Sequence, residues 1–271
     1  MEEVLSHREA YISDYAEMED ILMRRLKLVH YPIAVKFVFS EDELEEFKEN
    51  AEYHMTGHPI TYCQYQTGAR MKGLTILGIR ERMGCSNAAY VFGWKSYDES
   101  EIRSHMKYVR SREQAEKFIK TKPRLPEGKL LAFIVSPLSK TYFEPDVVHF
   151  YCDNLQSYHL ADDYMAALDV HPLQFNLTMN SAVCGGDVWV YLNKTINVIP
   201  ACSGSYTAGK TERGEVNVII PGEHIGKVVD RLVERIEQKG GSSIAVVGDD
   251  FPGADICKNC PLIVFRKVKR E

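Results

Sequence analysis

The sequence predicts an α+β fold, a single compact domain with a mixed sheet and peripheral helices. Three observations point there. Strand-like apolar runs and runs of helical periodicity both recur along the chain, without the strict alternation of βαβ units. No linker rich in Pro, Gly or Ser is long enough to separate a pair of domains, and no internal repeat stands out. At 271 residues the chain can bury a large core. Residues 1–271 therefore read as one domain, with 241–271 as a C-terminal extension.

Taken in order, Val4, Tyr11, Tyr15, Met18, Leu22 and Leu26 predict an amphipathic helix over 3 to about 27. Ile33 to Val38 reads as a strand. Ser40 with Glu43 is a capping-box signal for a short helix to about Asn50, whose Glu41, Glu43, Glu45 and Glu46 form a solvated face. His58-Pro59-Ile60 is expected to open a helix that carries Cys63 in or near its first turn. Thr75 to Ile79 is a strand leading to Gly84-Cys85, and Ser86 or Asn87 caps a short helix ending near Gly93. The charged stretch from Ser100 to Lys120 predicts a helical surface hairpin. Strands follow at 130–136 and 146–152, then a helix over about 154–168. A strand is expected between Cys184 and Cys202, and another at 216–220. Ile225, Val228, Val229, Leu232 and Ile236 give the cleanest helical face in the chain. Gly240-Gly241 ends that helix, and Ser243 to Val247 reads as a last strand.

Composition narrows the function. A net charge of -5 gives no basic face for nucleic acid. No apolar run approaches the roughly 18 residues that cross a bilayer, and the acidic start Met1-Glu2-Glu3-Val4 lacks the features of a signal peptide. The expectation is a soluble cytoplasmic protein. Thiols stay reduced in that compartment, so seven cysteines suggest metal or redox chemistry before disulfides.

The stretch from Ser181 to Gly204 holds Cys184-Gly185-Gly186 and Ala201-Cys202-Ser203-Gly204. Glycine beside cysteine permits a tight or left-handed backbone whose amides can point at whatever the sulfur holds. Upstream stand Gly84-Cys85-Ser86 and Tyr62-Cys63-Gln64, both near expected helix starts, where a thiolate is favoured. One such cysteine alone is most simply a small buried hydrophobe. The four together, Cys63, Cys85, Cys184 and Cys202, read as ligands. Thiolates without histidine suit zinc or iron–sulfur, and their scatter along the chain argues against a zinc ribbon.

Cys257-Lys258-Asn259-Cys260-Pro261 is the strongest local motif. Cys-Pro endings are familiar at iron–sulfur ligands. No strand leads into the pair and no helix follows, which argues against a thioredoxin-like dithiol. Cys257 and Cys260 could complete the four-cysteine site, hold zinc or a second cluster with Cys152, or cap the domain; the sequence does not choose. Gly204 to Thr211 matches the phosphate-loop pattern letter for letter, and Ile244 to Asp250 resembles the acidic strand that accompanies it. That reading needs a helix starting at Lys210, whereas Glu212-Arg213-Gly214-Glu215 leads straight to a strand. His54 and His58 share helical spacing but read as a solvated or hydrogen-bonded pair, and His149, His159 and His171 as structural.

Several short motifs, in their order, carry a family likeness. They are Ala34-Val35-Lys36-Phe37, Cys63-Gln64 with Ala69-Arg70, Cys85 with Gly93, Pro137-Leu138, Asp146-Val147-Val148, Asn154-Leu155-Gln156 with Leu160, Cys184, and Cys202 with Gly204. Over roughly residues 20 to 240 the chain resembles domain of unknown function family 169, a prokaryotic family frequent in anaerobes. The resemblance implies a cysteine-bearing single domain suspected of holding an iron–sulfur cluster, and it supplies no reaction. Where the family's pattern suggests a basic residue after Cys-x-Gly, this chain has Ser205-Tyr206.

The expectation is a cluster-binding protein that holds a four-iron four-sulfur cluster through Cys63, Cys85, Cys184 and Cys202, for electron transfer or for redox or Lewis-acid chemistry on a small molecule. Its partners would be a redox protein, a small molecule or a second copy of the chain, with neither nucleic acid nor membrane. A zinc-stabilised scaffold and a nucleotide-binding enzyme using Gly204 to Thr211 are the alternatives.

Overall fold

The structure, a computed structural model, describes residues 14–238 apart from 52, 55–57 and 179. The start of the first helix, the strand expected at 243–247, Ile244 to Asp250 and the pair Cys257 and Cys260 lie outside the described residues.

A seven-stranded sheet runs through the middle in the order β2-β3-β4-β1-β5-β7-β6. Its strands are β1 (Ile33–Val38), β2 (Tyr53–His54), β3 (Ile76–Ile79), β4 (Ala132–Pro137), β5 (Val147–Cys152), β6 (Asn197–Pro200) and β7 (Val216–Pro221). All neighbours are antiparallel except β2 and β3, so the sheet is mixed. β1 lies in the centre, with Val35 opposite Val135 on one side and Val147 on the other. The expected fold class is the observed one.

Helices cover both faces, so β4 and β5 are buried along their whole length. Successive residues of a strand point to opposite faces, which sorts the core cleanly. Val35, Phe37, Val147, Tyr151 and Ile219 point to the side of α3 (Tyr62–Lys72), α4 (Ser86–Val91) and α8 (Ala182–Asn193). Ala34, Val148, Phe150, Cys152 and Ile220 point to the side of α1 (Tyr15–Leu26), α7 (Asn154–Leu168) and α10 (Ile225–Gln238). The α10 stripe of Ile225, Val228, Val229, Leu232 and Ile236 is buried as its periodicity predicts. α2 (Glu41–Asn50) is capped by Ser40, whose hydroxyl accepts from the Glu43 amide at 3.3 Å. α5 (Glu99–His105) and α6 (Arg112–Lys120) make the charged hairpin, and α9 (Ser203–Thr207) is a short turn after β6. Among the described residues no helix is long and apolar enough to cross a membrane.

Two local expectations are corrected. The helix expected from Pro59 begins at Tyr62 instead, because Thr61 and Gln64 form a capping box there. Cys184-Gly185-Gly186 is no tight turn but lies within the opening turns of α8. The glycines serve contact rather than a reversal, since a Cβ on Gly186 would stand 2.5 Å from Ile219 Cδ1. The missing side chain of Gly186 lets α8 lie directly on β7, and that of Gly185 makes room for Ser181, at the cost in helix propensity that glycine carries.

Candidate metal centre

All four cysteines stand at the starts of helices. Cys63 is the second residue of α3 and Cys184 the third of α8. Cys85 and Cys202 occupy the N-cap positions of α4 and α9. Cys85 Sγ accepts the Ala88 amide at 3.5 Å. The first turns of α3 and α8 add unpaired amides and the positive end of a helix dipole, which favour anions.

These four segments come near one another. Ser205, fully buried on α9, puts its Oγ 3.9 Å from Cys63 Sγ and 3.7 Å from Cys202 Sγ. Cys85 and Cys184 lie near enough for charge on one sulfur to be felt at the others. Burial first, and then Cys85, Cys63 and Cys202, hold the Cys184 thiol well above its ordinary range. Burial also raises Cys63, with Cys202 and Cys85 adding to it, and raises Cys85 against the pull of the Ala88 amide. At Cys63, Cys85 and Cys184 desolvation therefore outweighs the helix starts. All four are free thiols, with Cys63 and Cys184 buried and Cys85 and Cys202 partly exposed.

Beneath these cysteines lies a buried polar network that fixes α3 against α8. Asp187, one turn beyond Cys184, accepts from Tyr62 Oη at 2.6 Å and from Gln66 Nε2 at 2.7 Å through Oδ2. Its Oδ1 lies 2.6 Å from His149 Nδ1 on β5. Asn217 Nδ2 donates to the Ile199 carbonyl at 3.1 Å, so its Oδ1, 3.0 Å from His149 Nε2, accepts that ring proton. His149 and Asp187 thus hold one further proton between them. Tyr151 Oη donates to Gln66 Oε1 at 2.8 Å. Tyr62 and Gln66 flank Cys63 on α3, so the network orients both deep cysteines.

A second clamp fastens the Cys202 segment to α3. The buried Arg70 guanidinium donates through Nη2 to the carbonyls of Gly209 at 2.9 Å and Lys210 at 2.7 Å. It also sits 4.0 Å over the Tyr151 ring. Thr67 Oγ1 donates to the Gly209 carbonyl at 2.8 Å. Gly209 is required here, since a Cβ on it would stand 2.7 Å from Cys63 Cβ.

The sequence pattern of the family described as "uncharacterised ArCR", domain of unknown function family 169, matches residues 21–231. The chain belongs to this family. No curated protein and no solved structure matches it. The span that family 169 covers takes in the four clustered cysteines and both clamps, and it ends before Cys257.

The other sequence-derived sites fare differently. Cys152 points to the opposite face of the sheet and packs among Val148, Phe150 and Leu160, so it shares no site with the four. The phosphate-loop reading fails on geometry. α9 covers the first half of Gly204 to Thr211, and Lys210 takes a left-handed backbone (φ 55°). No helix starts there, and a turn leads to β7, because Arg70 and Thr67 hold the backbone of this segment. The surface cavity of about 280 Å³ between Lys27, Tyr151, Gln156 and Glu215 has no cysteine in its lining. Ser205, Asp187 and His149 were not anticipated beside these cysteines. The helical spacing of Cys63 with Gln66 and of Cys184 with Asp187 was the available signal.

Proposed function

We propose that this chain is an iron–sulfur protein, holding a four-iron four-sulfur cluster through Cys63, Cys85, Cys184 and Cys202. Four free thiols on four separate segments that come near one another support this reading. Among the described residues, no three of Cys, His, Asp and Glu stand close enough to grip a single ion. Tetrahedral zinc, with bonds of about 2.3 Å, draws its sulfurs to within about 4 Å of one another. A cluster places its own irons and sulfides between the thiolates, so its ligands stand wider apart. The spacing speaks against a single zinc ion, and thiolates are the donors that a cluster takes.

When bound, such a cluster supplies one-electron chemistry. The chain's own groups do the rest. Four thiolates would occupy every iron, which favours electron transfer over an open Lewis-acid site. The Ser205 hydroxyl can donate to Cys63 or Cys202 sulfur, and the first-turn amides of α3 and α8 face a net negative charge. Cys85 and Cys202 are partly exposed, so the edge of the site reaches the surface where a redox partner could approach. Protein purified without oxygen should be brown, with broad visible absorption that bleaches in air. Serine at each of the four positions should lower the iron content, while Cys152→Ser should leave it unchanged. Colourless protein with stoichiometric zinc would contradict the reading.

A further inference from the structure

Lys122 is only 5% exposed, and a lysine so buried ordinarily has an anionic partner. It lies just past α6, where its amide bonds the Ile119 carbonyl at 3.2 Å. Its ammonium donates to Asn87 Oδ1 and, at 3.0 Å, to His105 Nε2. His105 Nδ1 lies 2.9 Å from the Glu101 carbonyl oxygen, which can only accept. Nδ1 therefore carries the ring proton, and Nε2 offers Lys122 a lone pair. Both partners are neutral.

Among the described residues no carboxylate lies within ion-pair distance of Lys122. Glu101 is engaged by Lys95 at 3.3 Å and by the Ser86 hydroxyl. Asn87 is the second residue of α4, so the ammonium sits against the turn that Cys85 caps; desolvation disfavours its charge, and negative charge at Cys184, Glu101, Cys85 and Cys202 would favour it. Three of those four are the proposed ligands.

We propose that Lys122 is the counter-charge of the cysteine site, its ammonium held inside the protein to balance the negative charge of the thiolates and their bound group. This rests on the cluster reading for its effect on potential, but not for its effect on the thiols themselves. An ammonium near the site makes electron uptake easier, and it stabilises thiolate in protein stripped of metal.

The test compares the full-length chain with Lys122→Met, which keeps the stem and removes the charge, and with Lys122→Arg, which restores charge. Lys122→Gln serves where Lys122→Met does not fold, since it retains a donor for Asn87 or His105. In iron-loaded protein the midpoint potential should shift to more negative values in Lys122→Met, with unchanged iron content, and return toward wild type in Lys122→Arg. In metal-stripped protein at fixed pH, iodoacetamide should alkylate Cys85 and Cys202 several-fold more slowly in Lys122→Met. Slowed alkylation in a chain that never binds iron would sink the cluster and keep the counter-charge. An unmoved potential in iron-loaded protein overturns the counter-charge, as does unmoved alkylation where no iron binds.

Discussion

The two faces of the sheet are equally buried but built for different purposes. On one, α1, α7 and α10 cover Val148, Phe150, Val218 and Ile220 with aliphatic side chains, and the buried Arg235 meets Asp163 through two bonds of 2.6 Å each. On the other, α3, α4 and α8 enclose thiols, an ammonium and the His149–Asp187 pair. Cysteine shows the contrast best. Cys152 on the first face is a small hydrophobe among hydrophobes, whereas Cys63 on the second meets a hydroxyl and other sulfurs. Burial alone does not make a ligand; convergent polar neighbours do.

Substitutions should separate the faces. The largest effect is expected for Asp187→Ala, which strands His149, Tyr62 Oη and Gln66 Nε2 in the interior. Urea denaturation should show a loss of about 3–5 kcal/mol, and a double-mutant cycle with His149→Phe should show strong coupling. Additive effects would mean the network is not one unit. Next comes Arg70→Met, which leaves the Gly209 and Lys210 carbonyls without their donor and should cost about 1–3 kcal/mol. It should also weaken iron retention, since it frees the Cys202 segment from α3.

The pH dependence isolates Cys152. Burial, with Asp153 and Glu215 adding, holds its folded pKa well above the usual thiol range. Below about pH 8.5 both folded and unfolded chains keep this proton, and its contribution to stability is complete. At higher pH the unfolded chain releases it while the folded chain does not, so stability falls with rising pH by up to about 1.4 kcal/mol per unit. Cys152→Ala should remove that share of the slope with and without iron. The smallest effect is expected for Ile220→Val on the apolar face, about 0.5–1.5 kcal/mol with iron content untouched.

Much of this was legible in the sequence. The strands other than β2, the α10 stripe and the charged hairpin follow from periodicity, whereas α3 starts at Tyr62 rather than Pro59 and α4 is capped by Cys85 rather than by Ser86 or Asn87. α8 was not legible, because Gly185-Gly186 reads as a break until the contact with Ile219 shows why the side chains are missing. Lys122 lies just beyond the hairpin expected over Ser100 to Lys120, and no pattern singles it out, since a charge pattern cannot show that the chain turns inward after Thr121. The gathering of Cys63, Cys85, Cys184 and Cys202 depends on contacts between segments far apart in the chain. Spacing holds no record of them; the flanking glycines, the expected helix starts and the ordered motifs of the family likeness were what hinted at a shared site.

The most direct measurement is the iron and acid-labile sulfide content of the full-length chain purified without oxygen. A pocket built by these cysteines predicts about four of each per chain, falling when Cys184 is replaced by serine. Iron without sulfide, or a metal content indifferent to serine at all four positions, would contradict it.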